Sequence, residues 1–282
     1  MNKIEKLTIL NLGAGVGSAP LVGMQLDGEL HYDVAIFSDT HDEPSWVYRQ
    51  MDWLETQVAH RGGAPIVRVT GGDLMQNLRV GKNEDGGRFV SIPAFTKMDD
   101  GDVMMTRRQC TREYKIDPVT QYIRREILGL DKGQRVPKAV TITQLFGFSV
   151  DEAHRAANMR AHESKSWRFE FPLLADDCRM RKSECRKYMA DWCKDFDWFW
   201  SSCRSCPFHS DIQWRELQAN SPSDFDAACR NDEALRDPAN VVNRGMENPM
   251  FIHRSCIPLR DVDFTKGQGQ LFNTICEGGC HT

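Results

Sequence analysis

The chain places a short apolar run directly before a glycine-rich turn, in Leu7-Thr8-Ile9-Leu10-Asn11-Leu12-Gly13-Ala14-Gly15-Val16-Gly17-Ser18. A mostly apolar run that ends at a glycine is typical of a buried strand in a parallel sheet. The small residues that follow let backbone N–H groups approach an anion, and a helix after them adds a favourable dipole. The segment therefore predicts a strand, a tight turn and a helix through Leu21 to Leu26.

The same alternation of strands and helices continues downstream. Further strands are predicted at 32–37, 65–69 and 140–146, and helices at 44–60 and 117–128. Residues 71–106 are rich in Gly, Asp and Asn, which favours one long, partly ordered loop. This pattern predicts an α/β fold with a Rossmann-like open parallel sheet. After Pro172 the sequence changes to helices dense in Cys, Trp and charge, so we expect an α/β domain at 1–175 and a helical, Cys-rich C-terminal region at 176–282 packed on it.

Composition excludes some classes of function. The 282 residues include 36 Lys and Arg and 40 Asp and Glu, which gives a net charge of −4. This charge disfavours nucleic-acid binding by bulk electrostatic attraction. No apolar run is long enough to cross a membrane, and the N-terminus is unlike a signal peptide, so we expect no membrane partner and a cytoplasmic location. Thiols stay reduced there, so the ten cysteines need an explanation other than disulfides.

The glycine turn taken alone leaves several possibilities open. No Gly-Lys-Ser/Thr follows it, which excludes a Walker A loop, and Gly17 stands one position early for a dinucleotide fingerprint. A plain strand–helix turn without a ligand is the alternative interpretation.

Five segments, spread over most of residues 7–206, resemble in the same order the landmarks of phosphoadenosine phosphosulfate (PAPS) reductases and of the wider adenine nucleotide α-hydrolase (PP-loop ATP pyrophosphatase) superfamily. They are Gly13–Ser18, Phe37–Pro44, Cys110–Pro118, Gly147–Arg155 and Phe171–Leu174. The runs around Cys110 and Cys206, with the terminal Cys-Glu-Gly-Gly-Cys, also look like the PAPS-reductase-like proteins of bacteriophages. That likeness implies a bacterial or phage-infected cytoplasm.

This resemblance implies a fold that binds ATP or PAPS, with Mg²⁺ as a further candidate ligand. Asp39 would lie near the nucleotide or its metal, as a candidate catalytic residue. The ATP-pyrophosphatase branch usually has an acid before the loop serine, where this chain has Gly17. The residues that the resemblance assigns to nucleotide binding are Gly13, Ala14, Gly15, Gly17, Ser18, Asp39, Arg107, Arg108, Lys115 and Arg155.

The cysteines suggest a metal centre. Cys203-Arg204-Ser205-Cys206-Pro207 is a C-x-x-C pair, and thiolates are natural ligands of iron–sulfur clusters and zinc. The resemblance adds Cys110, and the C-terminal Cys276 is favoured over Cys280 as the fourth ligand. We expect a [4Fe–4S] cluster, with zinc as the alternative and buried, unligated thiols as the other interpretation. The remaining cysteines are expected to be packing thiols: Cys178, Cys185, Cys193, Cys229 and Cys256.

Three functions remain open at this stage. The leading one is sulfur transfer (thiolation), activated by ATP, to a nucleotide or nucleic acid. The second is reduction of PAPS or adenylylsulfate, for which Cys280 beside His281 resembles a mobile catalytic cysteine. The third is a non-catalytic nucleotide-sensing or interaction module with a structural cluster. An adenine nucleotide is the expected partner in each case, and a second copy of the chain is a candidate homodimer partner.

Three further features of the C-terminal region carry predictions. Asp211 is placed to cap the helix that follows it. His253-Arg254 is a candidate second anion contact. The dense aromatic run from Trp192 to Trp200 is expected to form core rather than a base-stacking surface.

Overall fold

The computed structural model describes residues 5–80, 92–237 and 248–265, and its centre is a five-stranded parallel sheet. The strands, numbered along the chain, are β1 (Lys6–Leu12), β2 (Val34–Asp39), β3 (Ile66–Thr70), β6 (Thr141–Phe146) and β7 (Trp167–Glu170). Their order in the sheet is β3-β2-β1-β6-β7, and each neighbouring pair is parallel. The prediction of an α/β fold with an open parallel sheet is confirmed, and the arrangement is consistent with a Rossmann-like fold.

Both faces of this sheet are buried, which explains why its central strands are almost continuously apolar. Leu10 on β1 and Phe37 on β2 contribute to a large core on one face. Ile9 and Ile36, one position earlier on each strand, contribute to a smaller core on the other face. Because successive side chains point to opposite faces, a strand covered on both sides needs apolar residues at every position.

Helices cover the two faces. The helices are α1 (Ala19–Leu26), α2 (Ser45–Arg61), α3 (Leu74–Val80), α4 (Asp117–Tyr122), α5 (Ala153–Arg160), α6 (Lys182–Trp192), α7 (Asp211–Asn220) and α8 (Pro222–Leu235). Segments of π-helix, Arg112–Ile116 and Ile123–Ile127, adjoin the two ends of α4. Helices α1 and α2 pack in the larger core, and α4 packs in the smaller one. None of the helices in the described part of the chain has the length and apolarity to span a lipid bilayer.

The expectation of a single long loop over 71–106 is wrong. Helix α3 follows β3 closely, and strands β4 (Phe95–Lys97) and β5 (Val103–Met105) form a hairpin. Strand β8 (Met250–Phe251) pairs antiparallel with β4 and completes a second, three-stranded sheet. Residues 81–91 lie outside the described ranges. Strands of two or three residues are too short to show a periodic pattern, so the sequence gives little sign of them.

The aromatic residues from Trp192 to Trp200 pack in or against the core, as expected. Trp198 and Trp200 are buried, and the indole N–H of Trp46 on α2 donates to the Trp200 carbonyl at 2.9 Å. Phe199 stacks on Trp46 with ring centroids 5.0 Å apart. This packing joins the segment before Cys203 firmly to α2.

Two expectations about α7 and its neighbours are wrong. Ser210, not Asp211, is the N-cap residue, and its hydroxyl accepts from the Gln213 N–H at 3.3 Å. Asp211 instead accepts from Arg254 at 2.9 Å and contacts His253 at 3.1 Å. The pair His253-Arg254 therefore faces a carboxylate of this chain instead of forming an open anion contact.

Candidate functional site

The order of the central strands fixes where a ligand crevice forms. Strand order runs outward in opposite directions from the neighbours β1 and β6, so this pair is the topological switch point. Ligands of open α/β sheets bind outside the carboxyl ends of the strands at such a point. The glycine turn 13–18 follows β1 there, and Gly147-Phe148-Ser149 follows β6.

The glycine turn is closed by its own hydrogen bonds. The Gly13 N–H donates to the Ser18 hydroxyl oxygen at 2.9 Å, across the turn. Ala14 has a positive φ of 55°, and its carbonyl accepts from the Gln50 side chain at 2.5 Å. A Cβ on Gly15 would lie 2.3 Å from the Ser201 hydroxyl oxygen. The turn is thus held in a defined shape against α2 and the Ser201 segment.

Gly17 lies in close contact with the loop that follows β6. A Cβ added to Gly17 would stand 2.5 Å from the Gly147 carbonyl oxygen, and one added to Gly147 would stand 2.3 Å from the Gly17 oxygen. Both obstructing atoms are backbone and cannot rotate away. A side chain at position 17 is therefore excluded by packing, which gives a physical reason for glycine where the resembled branch has an acid.

These two loops line a narrow cleft. Its walls include residues from the glycine turn, the β6 loop and the segment before the C-x-x-C pair: Asn11, Gly13, Val16, Gly17, Ser18, Phe146, Gly147, Phe148, Ser149, Glu152, Lys182, Trp200 and Ser201. The cleft volume is about 40 Å³, which holds a few water molecules. It suits the phosphate end of a nucleotide and is too small for the base and ribose as well.

Arg155 lies behind the wall of this cleft. Its guanidinium donates to Glu152 at 2.5 Å and lies over the Phe148 ring, 4.1 Å from the centroid. The other terminal nitrogen of Arg155 is buried without a hydrogen-bond partner among the described residues. Arg155 is therefore adjacent to the cleft through Phe148 and Glu152, although it is not one of the residues that line it.

Asp39 ends β2 and accepts two hydrogen bonds. The His41 backbone N–H donates to its carboxylate at 2.7 Å, and the Tyr48 hydroxyl donates at 2.9 Å. Burial, and then the neighbouring Asp39 carboxylate, raises the pKa of Tyr48 above its usual value. Asp39 thus stands at the carboxyl edge of the sheet, and it does not line the narrow cleft.

A second cavity brings three of the predicted metal ligands together. Cys110, Cys203 and Cys206 all line it, although about ninety residues of sequence separate the first from the other two. The remaining walls are Thr40, Leu74, Ile92, Pro93, Arg108, Thr111, Lys115, Pro207 and Phe208. We name this the thiol cavity.

Buried polar groups surround the Cys203 sulfur. The Thr40 Oγ1 lies 3.4 Å from it, and the Glu43 carboxylate lies 3.7 Å from it. The Lys115 ammonium forms a 3.2 Å ion pair with Glu43, and both side chains are buried. Lys115, assigned to nucleotide binding from the resemblance, therefore contacts a carboxylate beside the thiol cavity, and its role towards a nucleotide stays a prediction.

The C-x-x-C loop is fixed to the turn after β2 by a buried carboxylate. Asp42 is fully buried and accepts from the Arg204 guanidinium at 2.9 Å and from the Ser205 N–H at 3.1 Å. Burial raises the pKa of Asp42 to about 7, while Arg204 and the Ser205 N–H oppose the shift. Arg204 also pairs with Asp224 on α8 at 3.2 Å. The loop geometry thus depends on residues from the turn after β2, from α8 and from the loop itself.

The donor set can be compared with the expected metal centres. No group of three or more Cys, His, Asp or Glu residues within 5–80, 92–237 and 248–265 is arranged to hold one metal ion. A lone zinc needs its thiolates around a single centre at about 2.3 Å. A cluster takes its thiolates on separate irons, so its ligands are more widely spaced. Three cysteines around one cavity match the cluster in the chemistry of their side chains. Cys276, Cys280 and His281 lie outside the described residues.

The side chains of the two adjacent arginines of the predicted site lie in different environments. Arg107 is exposed, whereas Arg108 lines the thiol cavity and lies 5.3 Å from the centroid of the Phe208 ring. Of the predicted nucleotide ligands, Gly13, Gly17 and Ser18 line the narrow cleft.

Sequence reasoning missed several residues of these sites. Ser201 packs on Gly15 and lines the cleft, and Thr40, Glu43 and Thr111 lie at the thiol cavity or beside Cys203. Thr40 and Glu43 belong to the segment after β2 that carries the family resemblance, which is the one signal that could have identified them. Thr111 lies in another such segment, Cys110–Pro118, whereas Ser201 has no such signal.

Comparison with known proteins adds no identification. No family model matches the chain, and no curated protein matches it significantly.

Proposed function

We propose that this chain is an adenine-nucleotide-binding, iron–sulfur enzyme of sulfur chemistry, related to the PAPS-reductase-like proteins of the PP-loop superfamily. The observation that carries the proposal is the convergence of Cys110, Cys203 and Cys206 on one cavity at the carboxyl side of a parallel sheet. A narrow, phosphate-sized cleft at the switch point of the same sheet supports nucleotide binding.

The residues divide into two working parts. Backbone N–H groups of the turn 13–18 and the start of α1 would hold phosphate, because a helix N-terminus favours an anion. Cys110, Cys203 and Cys206 would hold the cluster together with a C-terminal cysteine, for which Cys276 is the candidate. A bound cluster supplies either electrons or an iron site for sulfide. Glu43 and Lys115, as a buried neutral pair, would keep the surroundings of Cys203 balanced in charge.

Within sulfur chemistry we propose ATP-activated sulfur transfer to a nucleotide or nucleic acid. Support comes from the single cysteine at Gln109-Cys110, since the reductases that this chain resembles often carry two adjacent cysteines there. Contact with Gly147 leaves no room for a side chain at Gly17, so the acid of the ATP-pyrophosphatase branch has no counterpart at this position.

The first experiment measures iron and acid-labile sulfide in anaerobically purified protein. We expect both in the wild type and a large loss in Cys203→Ser. Cys229→Ser is the matched control, because Cys229 is buried in the core on α8 and lines neither cavity. A full content of iron in Cys203→Ser contradicts the cluster assignment.

The second experiment separates the reactions. Release of pyrophosphate from ATP, dependent on an acceptor, is the expected result for sulfur transfer. Release of sulfite from PAPS or adenylylsulfate would replace that proposal with sulfonucleotide reduction. Binding of nucleotide with neither product would leave a non-catalytic module.

A further inference from the structure

The thiol cavity contains a hydroxyl group that its protein surroundings do not use. Thr111 is only 4% exposed, and its Oγ1 is buried without a hydrogen-bond partner among the described residues. A buried hydroxyl without a partner is destabilising and is uncommon in native proteins. Such a group calls for an explanation in terms of a ligand or a neighbouring atom.

Local helix structure does not account for this hydroxyl. Thr111 occupies the N-cap position of the π-helical segment Arg112–Ile116, where threonine side chains commonly accept from a backbone N–H. Its backbone is already helical, with φ −61° and ψ −45°, and its side chain makes no capping hydrogen bond. The hydroxyl is therefore not engaged in starting the helix.

The position of Thr111 relates this hydroxyl to the three thiols. Thr111 directly follows Cys110 in sequence and lines the same cavity as Cys203 and Cys206. Thr40, the other threonine of this cavity, differs because its hydroxyl already contacts Glu43 and Cys203. A group bound by the three cysteines would bring sulfur atoms, which accept hydrogen bonds, next to Thr111.

We propose that Thr111 is a positioning residue whose hydroxyl donates a hydrogen bond to a sulfur atom of the cluster held by Cys110, Cys203 and Cys206. This inference rests on the proposed function, since it requires the cluster. Hydrogen bonds to cluster sulfurs stabilise the more negative, reduced state and so raise the reduction potential. Thr111 thereby adjusts the potential without being a ligand.

The test compares Thr111→Val, which keeps the shape and removes the hydroxyl, with Thr111→Ser, which keeps the hydroxyl. Thr96→Val is the matched control: Thr96 is also 4% exposed, but its hydroxyl donates to the Pro249 carbonyl at 3.0 Å and it does not line the cavity. Each protein is purified anaerobically, its iron and sulfide are quantified, and its midpoint potential is measured by redox titration with spectroscopic detection.

We expect a lower midpoint potential in Thr111→Val and wild-type values in Thr111→Ser and Thr96→Val. Loss of iron in Thr111→Val with retention in Thr111→Ser would equally support a role for the hydroxyl. A wild-type potential in iron-loaded Thr111→Val overturns this inference and leaves the proposed function intact. Wild-type protein without iron and sulfide overturns both.

Discussion

Gly17→Ala is the substitution that tests most directly how the two loops of the narrow cleft fit together. Its new Cβ would stand 2.5 Å from the Gly147 carbonyl oxygen, whereas ordinary contacts begin at 3.4 Å. The glycine turn and the β6 loop must therefore separate by about 0.9 Å. Because the obstructing atom is backbone, no side-chain rotation can absorb this movement.

Gly17→Ala should lower both the free energy of unfolding and the affinity for ATP. Overpacking of this kind costs about 1–3 kcal/mol of unfolding free energy, which lowers the melting temperature of a chain of this length by about 2–5 °C. A hydrogen bond to a charged phosphate is worth about 1.5–3 kcal/mol, and displacing one donor by this distance removes most of it. Binding of ATP should therefore weaken by about 10- to 100-fold.

The assays are thermal unfolding and equilibrium dialysis with ATP, and Gly63→Ala is the matched control. A Cβ on Gly63 would also lie 2.5 Å from its nearest neighbour, but that atom is the Leu26 Cδ2, the end of a side chain that can rotate. We expect Gly63→Ala to change stability by less than about 1 kcal/mol and to leave ATP binding unchanged. Equal effects of the two substitutions would refute the argument that a rigid loop contact shapes the cleft.

Three further perturbations test the packing around the sites. Arg204→Met leaves the Asp42 carboxylate buried without its partner and should lower the free energy of unfolding in urea by about 3–5 kcal/mol. The control Arg230→Met, at an exposed arginine, should lower it by less than about 1 kcal/mol. Because burial raises the pKa of Asp42 to about 7, the loss in Arg204→Met should grow as the pH rises above about 7. An equal cost for both arginines would contradict this. Trp46→Ala should cost about 3–5 kcal/mol by the same assay, because Trp46 is 1% exposed, and a change below about 1 kcal/mol would be inconsistent with its burial. Burial lowers the pKa of His253, so its stabilising contribution is present above the unfolded pKa of about 6.5 and is lost as pH falls. His253→Asn should therefore lose less stability than the wild type between pH 7 and pH 5. Parallel plots of unfolding free energy against pH for the two proteins would argue against this.

The central sheet was predictable because its strands carry a strong physical signal. Strand β1 is buried on both faces, so its apolar run is visible without any partner. The hairpin of β4 and β5 gave no comparable signal: each strand has three residues, and Val103, Met104 and Met105 are exposed. A strand can therefore be predicted from the sequence when its side chains are buried, because burial requires apolar residues.

The candidate site was predictable only where the functional residues lie close together in the sequence at a characteristic spacing. The C-x-x-C pair can be recognised from four residues, and the structure brings Cys110 to the same cavity. The contacts of Glu43 with Lys115 and with Cys203 join residues 72 and 160 positions apart, and no local pattern encodes such pairs. Asp211 shows a similar limit, because Ser210 beside it is an equally good cap and the distant Arg254 engages the carboxylate.

The segment Trp200–Cys203 belongs to the walls of both cavities, and this has a thermodynamic consequence. Ser201 lines the cleft and Cys203 lines the thiol cavity, so their Cα atoms lie within about 7 Å of each other along the chain. A ligand that shifts this segment on binding in one cavity changes the affinity of the other, and linkage requires the effect to be equal in both directions. Occupancy of the two cavities would then be coupled through the two peptide bonds between Ser201 and Cys203, without any movement of the sheet.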